Sequence, residues 1–223
     1  DIERNTTIPF IGDVPKADNP NEIIQLNSRT NTAEAIRIIR TNLEFLLKDV
    51  QEGMAKTIFV TSTFPKEGKT FVSVNLASTI ALSDKKVLLV GLDIRNPKID
   101  EYLQVPTIGF TNYLSSNKYT SIDELIVKID NYSNFYVLPA GIIPPNPAEL
   151  LMDKKVEKLF AELRTKFDYI VVDTAPVSLV TDTLIVGHLA DAFVYVTRAN
   201  YLDKLMLKLP QQLYNESKLP NMS

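Results

Sequence analysis

Five short runs rich in β-branched and aromatic residues constrain this chain more than anything else in it: Thr57 to Thr61, Val87 to Leu92, Phe135 to Leu138, Tyr169 to Val172 and Phe193 to Thr197. Their apolar residues are nearly continuous instead of alternating, the pattern of strands covered on both faces by crossover helices. Helix-like stretches fall between them at Lys69 to Leu82, Ile122 to Ile129, Asp153 to Phe167 and Thr183 to Leu189, with another at Asp203 to Glu216. This alternation predicts an α/β fold, a mainly parallel sheet sandwiched by helices. With 223 residues, 45% of them hydrophobic, the chain is long enough to bury such a sheet.

Residues 1–31 carry Pro9, Pro15 and Pro20 among Asn, Asp and Thr without a sustained period, and read as an extended arm. From Thr32, an expected N-cap, Ile36, Ile39, Leu43 and Leu46 recur at helical spacing to about Lys48, so residues 32–223 are expected to form the folded domain. The run Leu219-Pro220-Asn221-Met222-Ser223 stands where one more strand is expected, which predicts a domain truncated at that point. No apolar run approaches the length of a membrane span, and Asp1 to Arg4 do not resemble a signal peptide.

Composition removes whole classes of chemistry. The chain has no cysteine and one histidine, His188, which excludes disulfides, Cys/His zinc sites, thiol nucleophiles and any mechanism needing two histidines. Lys and Arg total 24 against 27 Asp and Glu, so no basic excess points to a nucleic-acid partner. The seven glycines are too dispersed for a G-x-G-x-x-G dinucleotide loop.

The most informative segment runs from the strand Thr57 to Thr61 through Ser62-Thr63-Phe64-Pro65-Lys66-Glu67-Gly68-Lys69-Thr70 into the helix-like Phe71-Val72-Ser73-Val74-Asn75. In a strand–loop–helix of this type, backbone N–H groups and the helix N-terminus hold phosphate oxygens, the lysine reaches the β and γ phosphates, and the hydroxyl binds Mg²⁺. Pro65, Lys66, Glu67, Gly68, Lys69, Thr70 and Phe71 are the candidate nucleotide-binding residues. The first glycine of the motif would fall at position 63, which is Thr. Asp93 and Asp173 each end a strand, and ligands of parallel sheets bind beyond those ends, so Lys69, Thr70, Asp93 and Asp173 are expected to converge on one Mg-nucleotide.

Together these segments resemble the bacterial tyrosine kinases of the polysaccharide co-polymerase family, which are built on the P-loop NTPase fold of the deviant Walker type. Ser62 to Thr70 is similar to that family's Walker A, Leu92-Asp93-Ile94-Arg95-Asn96-Pro97 to its Walker A′, and Ile170-Val171-Val172-Asp173-Thr174-Ala175-Pro176 to its Walker B. Glu34, Arg37 and Arg40 match its E-x-x-R-x-x-R helix, and Leu138 to Gly141 with Pro145 to Leu151 match as well. The resemblance implies an ATP- and Mg²⁺-dependent protein tyrosine kinase. In it Lys69, Asp93 and Asp173 are catalytic, Thr70, Asp93 and Asp173 hold the metal, and Glu34, Arg37 and Arg40 form the interface of a ring-like homo-oligomer. It further implies autophosphorylation in trans of a C-terminal tyrosine tail, control of capsular or exopolysaccharide synthesis and export, and a place on the cytoplasmic face of the bacterial cell membrane. A membrane-spanning co-polymerase region, in the same chain or another, and a tyrosine phosphatase are the implied partners.

Two departures stand out. The family's Walker A′ often reads D-x-D-x-R, and Gly91 occupies the first aspartate, which leaves the catalytic base open. The nine tyrosines are scattered, with no terminal cluster. Two other readings stay open at this point. One is a dimerising ATPase switch, whose second lysine would replace Phe64, with Lys66 two places later; the other is a nucleotide-binding assembly module without efficient transfer.

Overall fold

The computed structural model describes residues 2–223; Asp1, where the expected arm begins, lies outside the described residues. The helices are α1 (Ile2–Asn5), α2 (Asn31–Leu46), α3 (Lys69–Ala81), α4 (Phe110–Ser115), α5 (Pro147–Leu151), α6 (Lys154–Leu163), α7 (Asp182–Val186) and α8 (Lys208–Asn215). The strands are β1 (Lys56–Ser62), β2 (Val87–Gly91), β3 (Val127–Lys128), β4 (Phe135–Leu138), β5 (Tyr169–Asp173) and β6 (Ala192–Val196). They form one sheet in the order β3-β4-β2-β5-β1-β6, with only the β3–β4 pair antiparallel. The fold is the helix-covered, mainly parallel sheet that the apolar runs predict.

Side chains alternate across a strand, so each central strand feeds two cores. Phe59, Leu88, Val90, Ile170, Val172 and Phe193 belong to one, with Phe110 of α4 and Val156, Leu159, Phe160 and Leu163 of α6. Phe59 anchors it, its ring 5.3 Å from Phe193 in an edge-on contact and 6.0 Å from Phe160 in a tilted one. Ile58, Val60, Leu89, Val137 and Val171 belong to the other, with α3 and Ile36, Ile39 and Leu43 of α2. A strand buried on both sides has no polar face to alternate with.

The segment before α2 is docked. Ile24 is fully buried; its N–H donates to Asn75 Oδ1 (2.9 Å) and its carbonyl accepts from the Tyr132 hydroxyl (2.6 Å). Asn75 Nδ2 donates in turn to Glu22 O at 2.9 Å. The cap of α2 is Thr30, whose hydroxyl accepts from Ala33 N at 3.1 Å; Thr32, expected in that role, is a buried residue of the first turn.

The helix expected over Ile122 to Ile129 is a 3-10 turn at Ile122–Leu125 followed by β3. Val127 and Lys128 take the open edge of β4, opposite Val137 and Tyr136, and a partner strand outweighs a weak helical period. Neither α4 nor α5 shows in the apolar pattern, because six and five residues carry too few apolar positions to establish a period. Met222 pairs in parallel with Phe193 on the outer side of β6, where Tyr195 N donates to Ser223 O at 2.8 Å.

Candidate active site

β2, β5 and β1 are adjacent and parallel, and the register sets Asp173 beside both Gly91 and Val60. Their carboxyl ends open on one edge of the sheet, where ligands of such folds bind. The loop after β1 turns through two left-handed residues, Lys66 (φ 69°) and Gly68 (φ 99°), before α3 begins. Thr63, in place of the motif's first glycine, is fully buried outside the left-handed region, with its hydroxyl 2.9 Å from that of Tyr195. The positions that need positive φ are 66 and 68, so threonine at 63 carries no backbone strain.

The loop is held from within and from across the sheet. Buried Glu67 accepts from Phe64 N at 2.6 Å and from Arg198 N at 3.4 Å; burial pushes its carboxyl up, and these donors pull it back. Arg198 Nη1 donates to Lys66 O at 3.1 Å, and Tyr201 donates its hydroxyl to Pro65 O at 3.0 Å. The Arg198 guanidinium lies over the Tyr201 ring, 5.7 Å from its centroid. The segment after β6 thus straps the loop after β1. Nothing local in either stretch announces this, because the partners lie more than 130 positions apart.

Lys69, Thr70, Asp93 and Asp173 come together at the head of α3. Lys69 Nζ lies 2.9 Å from Asp93 Oδ2 and 3.6 Å from Asp173 Oδ1. The Thr70 hydroxyl donates to Asp173 Oδ2 at 2.9 Å, and Ser73, one turn along α3, donates to Asp173 Oδ1 at 3.2 Å. Asp93 Oδ1 accepts from Asn96 N at 3.1 Å. Burial opposes the Lys69 ammonium, but Asp173 and Asp93 outweigh it and hold its pKa above the ordinary lysine value. Burial likewise pushes Asp173 up, with Lys69 pulling it back. One ammonium against two carboxylates leaves an excess of negative charge in a site where charge is costly.

Among the described residues no group of three or more His, Cys, Asp or Glu could hold a metal ion. Asp93, Asp173 and the Thr70 hydroxyl instead offer the few oxygens that Mg²⁺ takes alongside phosphate oxygens and water, and the uncompensated negative charge suits a cation. Phe71 meets Tyr102 edge-on, with centroids 6.3 Å apart. Asp182 at the start of α7 carries no local sequence signal of its role. Its side chain is buried and takes a two-pronged ion pair from Arg95 (2.7 and 2.9 Å), tying the loop after β2 to α7.

Glu34, Arg37 and Arg40 are not part of this cluster. Arg37 pairs with Glu34 at 2.5 Å and donates to Ser28 O at 2.8 Å. Arg40 turns toward α3 and donates to Thr79 O at 3.2 Å.

The family model described as AAA domain (AAA_31) matches residues 55–203. Tyrosine-protein kinase YwqD of Bacillus subtilis is 36% identical over 185 residues, covering 82% of this chain and 76% of that protein. Tyrosine-protein kinase CpsD of Streptococcus agalactiae is 34% identical over 194 residues, covering 84% and 80%. The solved kinase domain of the Escherichia coli tyrosine kinase Etk superposes with a TM-score of 0.82 at 26% identity, over 99% of this chain and 89% of its own length.

Proposed function

This chain belongs to the bacterial tyrosine-protein kinases, and on that premise we propose that Lys69, Thr70, Asp93 and Asp173 are the groups with which it passes the γ-phosphoryl group of ATP to tyrosine hydroxyls. The observation that carries the assignment is Lys69 Nζ held between Asp93 and Asp173, with Thr70 on Asp173, at the mouth of a strapped phosphate loop. Phosphoryl transfer asks a protein for positioning and charge neutralisation more than for covalent chemistry. The N–H groups from Lys66 to Phe71 cradle the phosphates, and Lys69 exchanges a carboxylate for their oxygens. Thr70, Asp93 and Asp173 hold Mg²⁺, which when bound neutralises charge on the phosphates.

The wider reading rests on the same premise. The acceptors are tyrosines of a tail presented in trans within a ring, whose contacts include Glu34, Arg37 and Arg40. The activity serves capsular or exopolysaccharide synthesis and export at the cytoplasmic face of the membrane, beside a membrane-spanning co-polymerase region and opposed by a tyrosine phosphatase. No helix among the described residues is long and apolar enough to cross a membrane.

The test is incubation with Mg-ATP and a tyrosine-rich peptide, with phosphotyrosine counted by mass spectrometry beside a Lys69→Met control. Transfer that disappears in the control is expected. ATP hydrolysis without phosphotyrosine would favour the dimerising ATPase switch instead, for which exposed Lys66 on the loop is the available cross-subunit group.

A further inference from the structure

A cavity of about 270 Å³ opens beside Asp93 and Asp173, walled by Pro97 to Asp100, Val105 to Thr107 and Pro139 to Ile143. Its far wall is fixed before any ligand arrives. Asn112 Oδ1 accepts from Gly109 N (3.0 Å) and Ile142 N (3.2 Å), and the Thr111 hydroxyl donates to Ile142 O (2.7 Å). Yet Ile142 and Ile143 leave 61% and 57% of their surface in water, an apolar lip with nothing packed on it. The volume suits one aromatic side chain and little more.

The carboxylates around this cavity differ in what they are free to do. Asp93 is engaged by Lys69 and Asn96, and Asp173 by Lys69, Thr70 and Ser73. Gly91 has no carboxylate, and a Cβ there would stand 2.8 Å from Ala140 N, so the backbone has closed over the place where one would sit. Asp100, by contrast, is exposed and makes no side-chain hydrogen bond or ion pair among the described residues; its charged neighbour Lys98 is paired with Glu101.

We infer that this cavity receives the ring of the acceptor tyrosine and that Asp100 is the carboxylate that takes its proton. The inference rests on the kinase reading. The phenolic oxygen bonds to the γ-phosphorus as the bond to the bridging oxygen breaks, and the electron pair of that bond leaves with ADP. The phenolic proton passes to Asp100 and from there to water. Asp100 thereby does the work of the carboxylate that Gly91 lacks, from within the same cavity.

The test uses the full chain with Mg-ATP and a tyrosine peptide. Asp100→Asn is expected to lower kcat about 100-fold with the KM for ATP unchanged and with the acid limb of the pH–rate profile lost. Lys98, Glu101, Lys69, Asp93 and Asp173 are the charged groups around it whose own titration the profile must be separated from. Asp100→Glu should recover part of the rate, and Ile142→Ser should raise the KM for peptide without changing that for ATP. Asp100→Asn at the wild-type rate overturns the assignment of Asp100 alone, provided that wild-type transfer is lost in Lys69→Met. A KM for ATP that rises with the fall in kcat, without rescue by Glu, overturns it too, as the mark of a structural role. Absence of phosphotyrosine from the wild type overturns the kinase reading and this inference together.

Discussion

Lys69 is placed by charge more than by packing, and that sets what its loss does. Removing one member of a buried ionic cluster leaves the others uncompensated, so Lys69→Met is expected to cost about 3–5 kcal/mol of stability near neutral pH. The sign of the pH dependence follows from Asp173, already pushed above its ordinary 3.8 by burial. A carboxyl whose pKa is higher folded than unfolded binds its proton more tightly in the native state, so stability is fully present below the unfolded value and falls as pH rises through the folded one. Without Lys69 that shift grows. Urea melts at acid and neutral pH should show the variant recovering toward wild type at the acid end, and an equal deficit at both contradicts the account. Gly91→Asp is the second change argued at this scale. The family-like carboxylate would meet Ala140 N and Ile99, so the variant is expected to lose about 1–3 kcal/mol as overpacking does, without a gain in transfer rate.

Elements meet in this fold through a few long-range ties. The strap from Arg198 and Tyr201 to Lys66 and Pro65 holds a loop whose N–H groups must already point at phosphate. A hydrogen bond contributes about 1 kcal/mol net, so Tyr201→Phe should weaken ATP binding about fivefold while leaving the melting temperature nearly unchanged; equilibrium titration with a fluorescent ATP analogue measures it. An unchanged affinity would mean that the loop holds its shape without the strap. The segment before α2 makes a different tie. Ile24 is fully buried between Asn75 and Tyr132, and Ile24→Ala should destabilise by about 2–5 kcal/mol, readable as a lower urea midpoint, where a merely extended arm would lose nothing.

At the scale of the whole molecule, a ligand bound at the meeting point of β1, β2 and β5 joins both cores to the loop and should stabilise the chain as one unit. Mg-ADP at 100 times its Kd should add about 2.7 kcal/mol, seen as a rise in melting temperature that Lys69→Met forfeits. At this scale the sequence is legible where one local signal is strong. Continuous apolar runs marked β1, β2, β4, β5 and β6, because burial on both faces removes every polar position. Gly68-Lys69-Thr70 and the two strand-ending aspartates could be picked out because each sits at a strand–loop junction. The edge strand β3, the cap at Thr30, the Arg95–Asp182 pair and the Arg198–Tyr201 strap could not, since each depends on a partner or a competing position that a linear pattern does not weigh. The amino-acid sequence by itself determined the sheet, the phosphate loop and the kinds of residue at its mouth, through periodicity and residue chemistry that act over a few positions. Only the tertiary structure decided which carboxylates are consumed by Lys69, which stands free at the cavity, and why Gly91 cannot carry one, because those outcomes turn on distances between residues that folding alone brings together.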